Sequence, residues 1–380
     1  MEKTRNYDVE KFVLLKNTDN TIDLYRTALV DYARFLFDKE IRGITDAAAR
    51  TAKAIELLNE YVKDPDTDSV SDIRKYLNSR KGKPRSTTKT YTMVIRQFYG
   101  SNGHTWTDIE KRAIMPKNIT AETKDEPITL DILKRMTDVS GLHGKLLITL
   151  LVSTGCRIGE LCKVELKDLD LTKDPARIHL PDRITKGGKA RTVFLTDEAR
   201  DLIKFWLEGE RDKYLIVSRY KGNRLPGGKV RPAPDDDKRL LGCSYDTARF
   251  MFMSRLKKAL KDLKQDELTQ RFLIHPHSVR KYFRTVAVQS IPIDTVEAIL
   301  GHEGYLSSSY VRLTEDQMGA AFKKGSYVLL ISEGQETRVM RERQDHQSER
   351  IEAQALVIEK MQRQIAQLTR ASAIAEGLKD

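Results

Sequence analysis

Thr154-Gly155-Cys156-Arg157-Ile158-Gly159-Glu160-Leu161 is the stretch on which the reading of this 380-residue chain turns. The residues before it, 146–152, are apolar on every side, as in a helix buried all round. Thr154-Gly155 ends that helix, because glycine takes the left-handed conformation of a helix stop without a Cβ penalty. A second helix begins near Arg157 and carries Ile158, Leu161 and Cys162 on one side. Arg157 therefore sits just after a turn.

Downstream, basic side chains of differing acidity are spread over several elements. Segments 177–180 and 191–195 have β character and flank Thr185-Lys186-Gly187-Gly188-Lys189. Gly-Gly is a hairpin turn signal, which puts Lys186 near the tip. Residues 219–240 are rich in Gly, Pro and charge and read as a long loop. Helical patterning resumes over 244–263, 277–289 and 293–300. His277 and Arg280 are three apart, so one helix face carries both. His302 follows Leu300-Gly301, and Tyr310 follows a serine run. Two arginines, a lysine and two histidines meeting at one point would suit a phosphate. A tyrosine beside them would be a candidate nucleophile. Periodicity alone does not bring them together.

Upstream, residues 1–18 read as a polar arm. Asn20 is a candidate N-cap for an amphipathic helix through Tyr25, Ala28, Leu29, Tyr32, Phe35 and Leu36, whose apolar stripe is simplest as core. Further helices are expected at 46–63 and 69–79. Arg80-Lys81-Gly82-Lys83-Pro84-Arg85 reads as a basic loop. Ser86 is the candidate cap of a helix with Tyr91, Val94, Ile95 and Phe98 inside and Lys89, Thr90, Arg96 and Gln97 elsewhere. Arg80, Lys81, Lys83, Arg85, Lys89 and Arg96 are the candidate phosphate contacts, set against a plain solvated face. Residues 116–129 hold two prolines and little apolar content, as a linker does.

Composition narrows the partners. Lys and Arg number 67 against 55 Asp and Glu, a formal charge of +12, which favours a polyanion. No apolar run reaches membrane-span length, and the charged N-terminus has no hydrophobic region behind it, so the expectation is a cytoplasmic protein without a membrane partner. Cys156, Cys162 and Cys243 make neither a disulfide framework nor a CxxC pair and read as packing residues.

In sequence order, the string 154–161, the segment Thr185-Lys186-Gly187-Gly188-Lys189-Ala190-Arg191, His277-Ser278-Val279-Arg280, Leu300-Gly301-His302 and then Tyr310 resemble the successive boxes of the tyrosine recombinase (integrase) family. Each piece alone is weak; the ordered set is specific. It spans roughly 144–325, and the N-terminal half matches only as a generic helical core-binding domain. The run 306–315 also resembles the nucleophile region of archaeal-type integrases. Tyr310 falls eight residues after His302, one short of the family's usual interval, and Tyr305 and Tyr327 are its rivals. Tyr305 is too near His302, and Tyr327 belongs to a β-like segment, 327–331. Lys189 rivals Lys186.

The resemblance implies a mainly α chain. Its parts would be a helical core-binding domain over 1–116, a linker over 117–128, and a mixed, mostly helical catalytic domain with a small β-sheet over 129–332. A C-terminal helical extension, a possible coiled coil, would occupy 333–380. It implies attack by Tyr310 on a phosphodiester to form a 3′-phosphotyrosine. Arg157 and Arg280 would clamp oxygens, Lys186 would act as general acid, His277 as base or proton shuttle, and His302 as phosphate ligand. Glu160 would buttress Arg157. No metal and no cofactor are expected. The expected partners are double-stranded DNA with specific recombination sites and further copies of the chain, a tetramer on paired sites.

Three roles stay open within the chemistry: a mobile-element integrase, a housekeeping chromosome-dimer resolvase and a type IB topoisomerase. A non-catalytic architectural DNA-binding protein is the contrasting class. Beyond residue 333, Ile351, Ile358 and Ile365 recur every seven residues with Met361 and Leu368 beside them. This short heptad seam suits association between protomers or a single helix docked on its own domain.

Overall fold

The computed structural model describes residues 7–64, 66–115, 125–221, 237–302 and 313–332, together with 354, 358, 361 and 362. Tyr305 and Tyr310, most of the expected 117–128 linker and most of the 333–380 extension lie outside the described residues. Of that extension, Gln354, Ile358, Met361 and Gln362 are helical, and Ile358 and Met361 are exposed. Among the described residues, no helix is long and apolar enough to cross a membrane. The chain divides into two compact units, 1–124 with 265–271 and 125–264 with 272–380.

Among the described residues, the regular elements of the first unit are helices: α1 (Val9–Leu14), α2 (Asp19–Leu36), α3 (Asp38–Ile41), α4 (Ala47–Tyr61), α5 (Ser69–Ser79), α6 (Arg85–Ser101) and α7 (Asp108–Ala113). The expected polar arm contains α1, which buries Val9, Phe12 and Val13. The cap of α2 is Thr18 rather than Asn20. Thr18 has extended backbone and its Oγ1 accepts from the Thr21 N–H, which leaves Asn20 inside the first turn. Ser86 likewise lies inside α6: Pro84 holds the cap position, and its carbonyl accepts from Thr88. The core stacks aromatic rings edge to face, Tyr32 on Tyr76 and on Tyr99. Their hydroxyls are satisfied: Tyr32 bonds Tyr99 at 3.1 Å, and Tyr76 donates to Asp31 at 2.6 Å.

The second unit is built round α9 (Leu142–Thr154), whose last nine residues are all buried. Around it lie α8 (Leu130–Asp138), α10 (Ile158–Leu161), α11 (Asp197–Phe205), α12 (Arg211–Lys221), α13 (Tyr245–Ala259), α14 (Pro276–Ala287), α15 (Ile293–Leu300) and α16 (Glu315–Gly325). A small antiparallel sheet runs β1 (Leu169–Asp170), β2 (Arg177–Leu180) and β3 (Arg191–Phe194), with Ile178 opposite Val193. The sequence carried too short a signal for two-residue β1. Nor is Gly187-Gly188 a two-residue hairpin turn. The β2–β3 connection spans 181–190 and begins with the 3-10 turn Asp182–Ile184. Gly188 closes a local turn by donating to the Thr185 carbonyl at 3.3 Å.

Other boundaries differ from the sequence reading for similar reasons. The expected loop 219–240 narrows, since α12 continues to Lys221 and Leu240 donates to the Val164 carbonyl at 2.8 Å. The β-like segment 327–331 is instead the 3-10 turn Ser326–Leu329, followed by buried Leu330 and Ile331. The N–H groups of Ile331 and Ser332 find the Glu198 carboxylate, not a strand. Residues 125–128 of the expected linker belong to this unit. Glu126 donates to the Leu273 carbonyl at 3.1 Å, and Ile128 is buried.

Gly155 closes α9 at φ 61°, and an added Cβ would come within 2.4 Å of the Phe283 ring. Gly155→Ala therefore combines a left-handed alanine with a core clash. The expected destabilisation is about 2–4 kcal/mol in urea melts of the full chain. A change below about 0.5 kcal/mol, the usual surface effect, would contradict this packing.

Candidate active site

Arg280 anchors the site. It is 4% exposed on α14. Its Nη1 donates to the Gly155 carbonyl at 2.8 Å and its Nη2 to the Leu300 carbonyl at 2.5 Å. These carbonyls stand at the C-terminal ends of α9 and α15, where helices leave acceptors unpaired and the dipole favours a cation. Helix ends thus supply the charge compensation that burial removes. Burial, followed by repulsion from Arg157, pushes Arg280 down to about 10, and it stays charged at neutral pH.

Arg157 is held differently. It occupies the N-cap of α10, and Glu160, three residues on, accepts its backbone N–H at 3.1 Å and its Nη1 at 2.8 Å. Glu160 is buried and also accepts Arg191 Nη2 at 2.6 Å. Burial opposes its ionisation, but bonds from Arg191 and then Arg157 outweigh that and hold the carboxyl below its ordinary range. Arg191 reaches on to the Ile299 carbonyl at 2.9 Å. One buried carboxylate therefore fixes two arginines, and one of these ties β3 to α15.

The histidines complete the cluster. His275 caps α14: its Nδ1 accepts the His277 N–H, and its Nε2 lies 3.3 Å from Asp125 Oδ1. His277 shares a face with Arg280. Partial desolvation, then the charges of Arg280, His275, Lys281 and Arg157, lower its pKa, so its imidazole is neutral at pH 7. His302 follows Gly301, whose φ of 67° turns the chain back over α15. Its Nε2 stands 3.2 Å from Arg280 Nη2, and its Nδ1 stands 2.5 Å from Glu297 Oε2.

The structure thus brings Arg157, Glu160, His277, Arg280 and His302 together. Lys186 is exposed in the turn 185–188 and bonds none of them. Among the described residues no group of three or more His, Cys, Asp or Glu side chains could hold a metal ion. Cys156, beside the site, is buried, and its thiol is pushed up to about 11, which keeps it inert. In the first unit, Lys81, Lys83, Arg85 and Lys89 are exposed. Arg80 is engaged internally: its Nη1 donates to Asp31 at 2.6 Å, and the guanidinium lies over Tyr91. Arg96 lies over the Trp106 ring at 5.9 Å.

Three residues of the cluster were given no role by the sequence reading, although Arg191 closes the 185–191 segment that carries part of the resemblance. Arg191, Arg284 and Glu297 read as an ordinary strand residue and two helix residues. The Arg191–Ile299 bond joins positions 108 residues apart, and the Glu297–His302 bond depends on the left-handed turn at Gly301.

Residues 128–313 match the phage integrase family model. The chain is 25% identical over 323 residues to tyrosine recombinase XerA of Saccharolobus solfataricus, covering 84% of this chain and 91% of that protein. It is 24% identical over 336 residues to tyrosine recombinase XerC of Bacillus subtilis, covering 84% and 95%. A solved structure of the XerH site-specific recombinase bound to its difH substrate aligns with TM-score 0.45 at 20% identity, covering 79% of this chain and 78% of that one.

Proposed function

Since this chain belongs to the tyrosine recombinase family, we propose that it is a site-specific integrase of a mobile element that cuts and rejoins DNA through a 3′-phosphotyrosine on Tyr310. One observation carries the reading. Arg157 and Arg280 are fixed independently, on a buried carboxylate and on two helix ends, with both imidazoles beside them. Cations held in advance stabilise charge that develops on a phosphate without reorganising during the reaction.

The Tyr310 oxygen attacks phosphorus, the bond to the 5′ oxygen breaks, and the 5′-hydroxyl of a second DNA end later reverses the step. His277, neutral at pH 7, accepts the phenol proton. Arg157 and Arg280 hold the non-bridging oxygens, His302 donates to one of them, and Lys186 protonates the leaving oxygen. The exposed Lys81, Lys83, Arg85 and Lys89 contribute phosphate contacts along the duplex, and four protomers assemble on paired sites. The cations do the charge work that a metal does in other phosphoryl-transfer enzymes.

The test is covalent capture. The full chain, incubated with a pool of nicked duplexes randomised across the centre, should retain DNA through boiling in detergent, with or without chelator. No retained DNA would sink the reading and leave an architectural DNA-binding role; loss with chelator would overturn the metal-free scheme. A second reading, a housekeeping resolvase of chromosome dimers, draws on the similarity to XerA and XerC along 84% of the chain. The sequence of the captured duplex, located in the host genome, separates the two.

Lys186→Ala should slow cleavage of ordinary DNA by roughly 10²–10⁴-fold, the usual worth of a general acid. On DNA whose bridging leaving oxygen is sulfur, which needs little protonation, the loss should nearly vanish. Equal losses on both substrates would take the acid role from Lys186.

A further inference from the structure

Building on that reading, we infer that Glu297, braced by Arg284, is a positioning residue for His302. It fixes which ring nitrogen carries the proton and where the other one points. Glu297 is buried, and its two oxygens are committed: Oε1 accepts Arg284 Nε at 2.6 Å and Oε2 lies 2.5 Å from His302 Nδ1. Held at both ends, the carboxylate cannot rotate away. The roles around the ring follow from chemistry alone. An ionised carboxylate only accepts, so Nδ1 must donate; a guanidinium only donates, so Nε2, 3.2 Å from Arg280 Nη2, must accept.

Arg284, Glu297, His302 and Arg280 thus form a chain of polarised bonds ending at the phosphate site. The charged groups around the ring, among the described residues, are Glu297 on its own helix, Arg280 and Arg284 from α14, and Arg191 from β3, which packs against Gly301. Hydrogen bonds from His302 and Arg284 outweigh burial and keep Glu297 ionised. When a phosphate takes the Arg280 hydrogen bond, Nε2 faces its oxygen. A ring that donates to that oxygen through Nε2 as well as to Glu297 through Nδ1 carries a proton on each nitrogen, and the Glu297 carboxylate balances its charge. A carboxylate that orients a histidine in this way acts through the ring and never touches substrate.

The ring can be watched directly. In the full chain labelled with 15N-histidine, with signals assigned from His302→Gln, the neutral His302 ring should carry its proton on Nδ1. In Glu297→Ala it should drift to the mixed tautomers of a free imidazole. Covalent capture of the randomised duplex pool should fall on the order of tenfold to a hundredfold in Glu297→Ala, as for other outer partners of functional histidines. Glu297→Gln should lose less, since its amide oxygen still accepts from Nδ1. Adding Glu297→Ala to His302→Ala should cost nothing more, because a residue acting only through His302 has nothing left to orient. An unchanged tautomer, or losses that simply add, would overturn the inference. If the wild-type chain captures no DNA, the recombinase reading fails, while the tautomer still decides whether Glu297 governs His302.

Discussion

Tyr310→Phe is expected to abolish covalent capture of DNA and leave duplex binding close to the wild-type level. The change removes one oxygen, the atom that would form the bond to phosphorus. Among the other described groups of the cluster, the guanidinium ions are not nucleophiles toward phosphate and the Cys156 thiol is buried and protonated, which leaves a neutral imidazole as the alternative that persistent capture in Tyr310→Phe would point to. Binding should survive because phosphate neutralisation by lysine and arginine dominates affinity for DNA. An unperturbed phenol, with a pKa of about 10, is poorly ionised at neutral pH, so a tyrosine nucleophile needs nearby cations to favour its attack. Of the rivals, Tyr327 bonds Ser290 Oγ at 3.0 Å within the 3-10 turn after α16. Gel shift and boiling-resistant capture, run side by side on Phe variants of Tyr305, Tyr310 and Tyr327, give the answer. Capture that persists in Tyr310→Phe and disappears in another variant would move the nucleophile.

Arg280→Ala should lower the rate of capture by roughly 10²–10³-fold, the usual loss when one donor to a developing anion is removed. The same change leaves the carbonyls of Gly155 and Leu300 without their donor, at about 1–3 kcal/mol for each group that stays buried. Rate and stability must therefore be separated. Arg280→Lys keeps the charge but lacks the planar fork that serves two carbonyls and a phosphate together. It should melt nearer to wild type than Arg280→Ala and still cleave far more slowly. Circular dichroism melts beside a capture time course make the comparison. Wild-type rates in a folded Arg280→Ala protein would remove Arg280 from the clamp.

Much of this site was legible because its key parts are local. The apolar run before Thr154, the stop at Gly155 and the restart at Arg157 lie in one stretch, and the three-residue spacing of His277 and Arg280 survives any packing of α14. Glu160 was paired with Arg157 only through the family resemblance, and the structure supplies the reason: a helix start brings its third residue back to the cap. Non-local partners were not legible. That Arg280 lies on the ends of α9 and α15, or that Glu160 also holds Arg191, follows from how distant segments pack. The misread elements share that cause. The segment 327–331 carries strand-like residues, yet its N–H groups meet Glu198 on α11. Arg80 stands in a basic run, yet tertiary packing turns it onto Asp31 and Tyr91.

Covalent attachment of DNA to Tyr310 is the step on which the proposed reaction depends. The most direct measurement is to digest the boiled covalent complex with nuclease and protease and sequence the peptide that retains a nucleotide by mass spectrometry. A single modified peptide is expected, with the added mass on the oxygen of Tyr310 and the nucleotide joined through its 3′ phosphate. A nucleotide on a serine or a histidine, or joined through its 5′ phosphate, would contradict it.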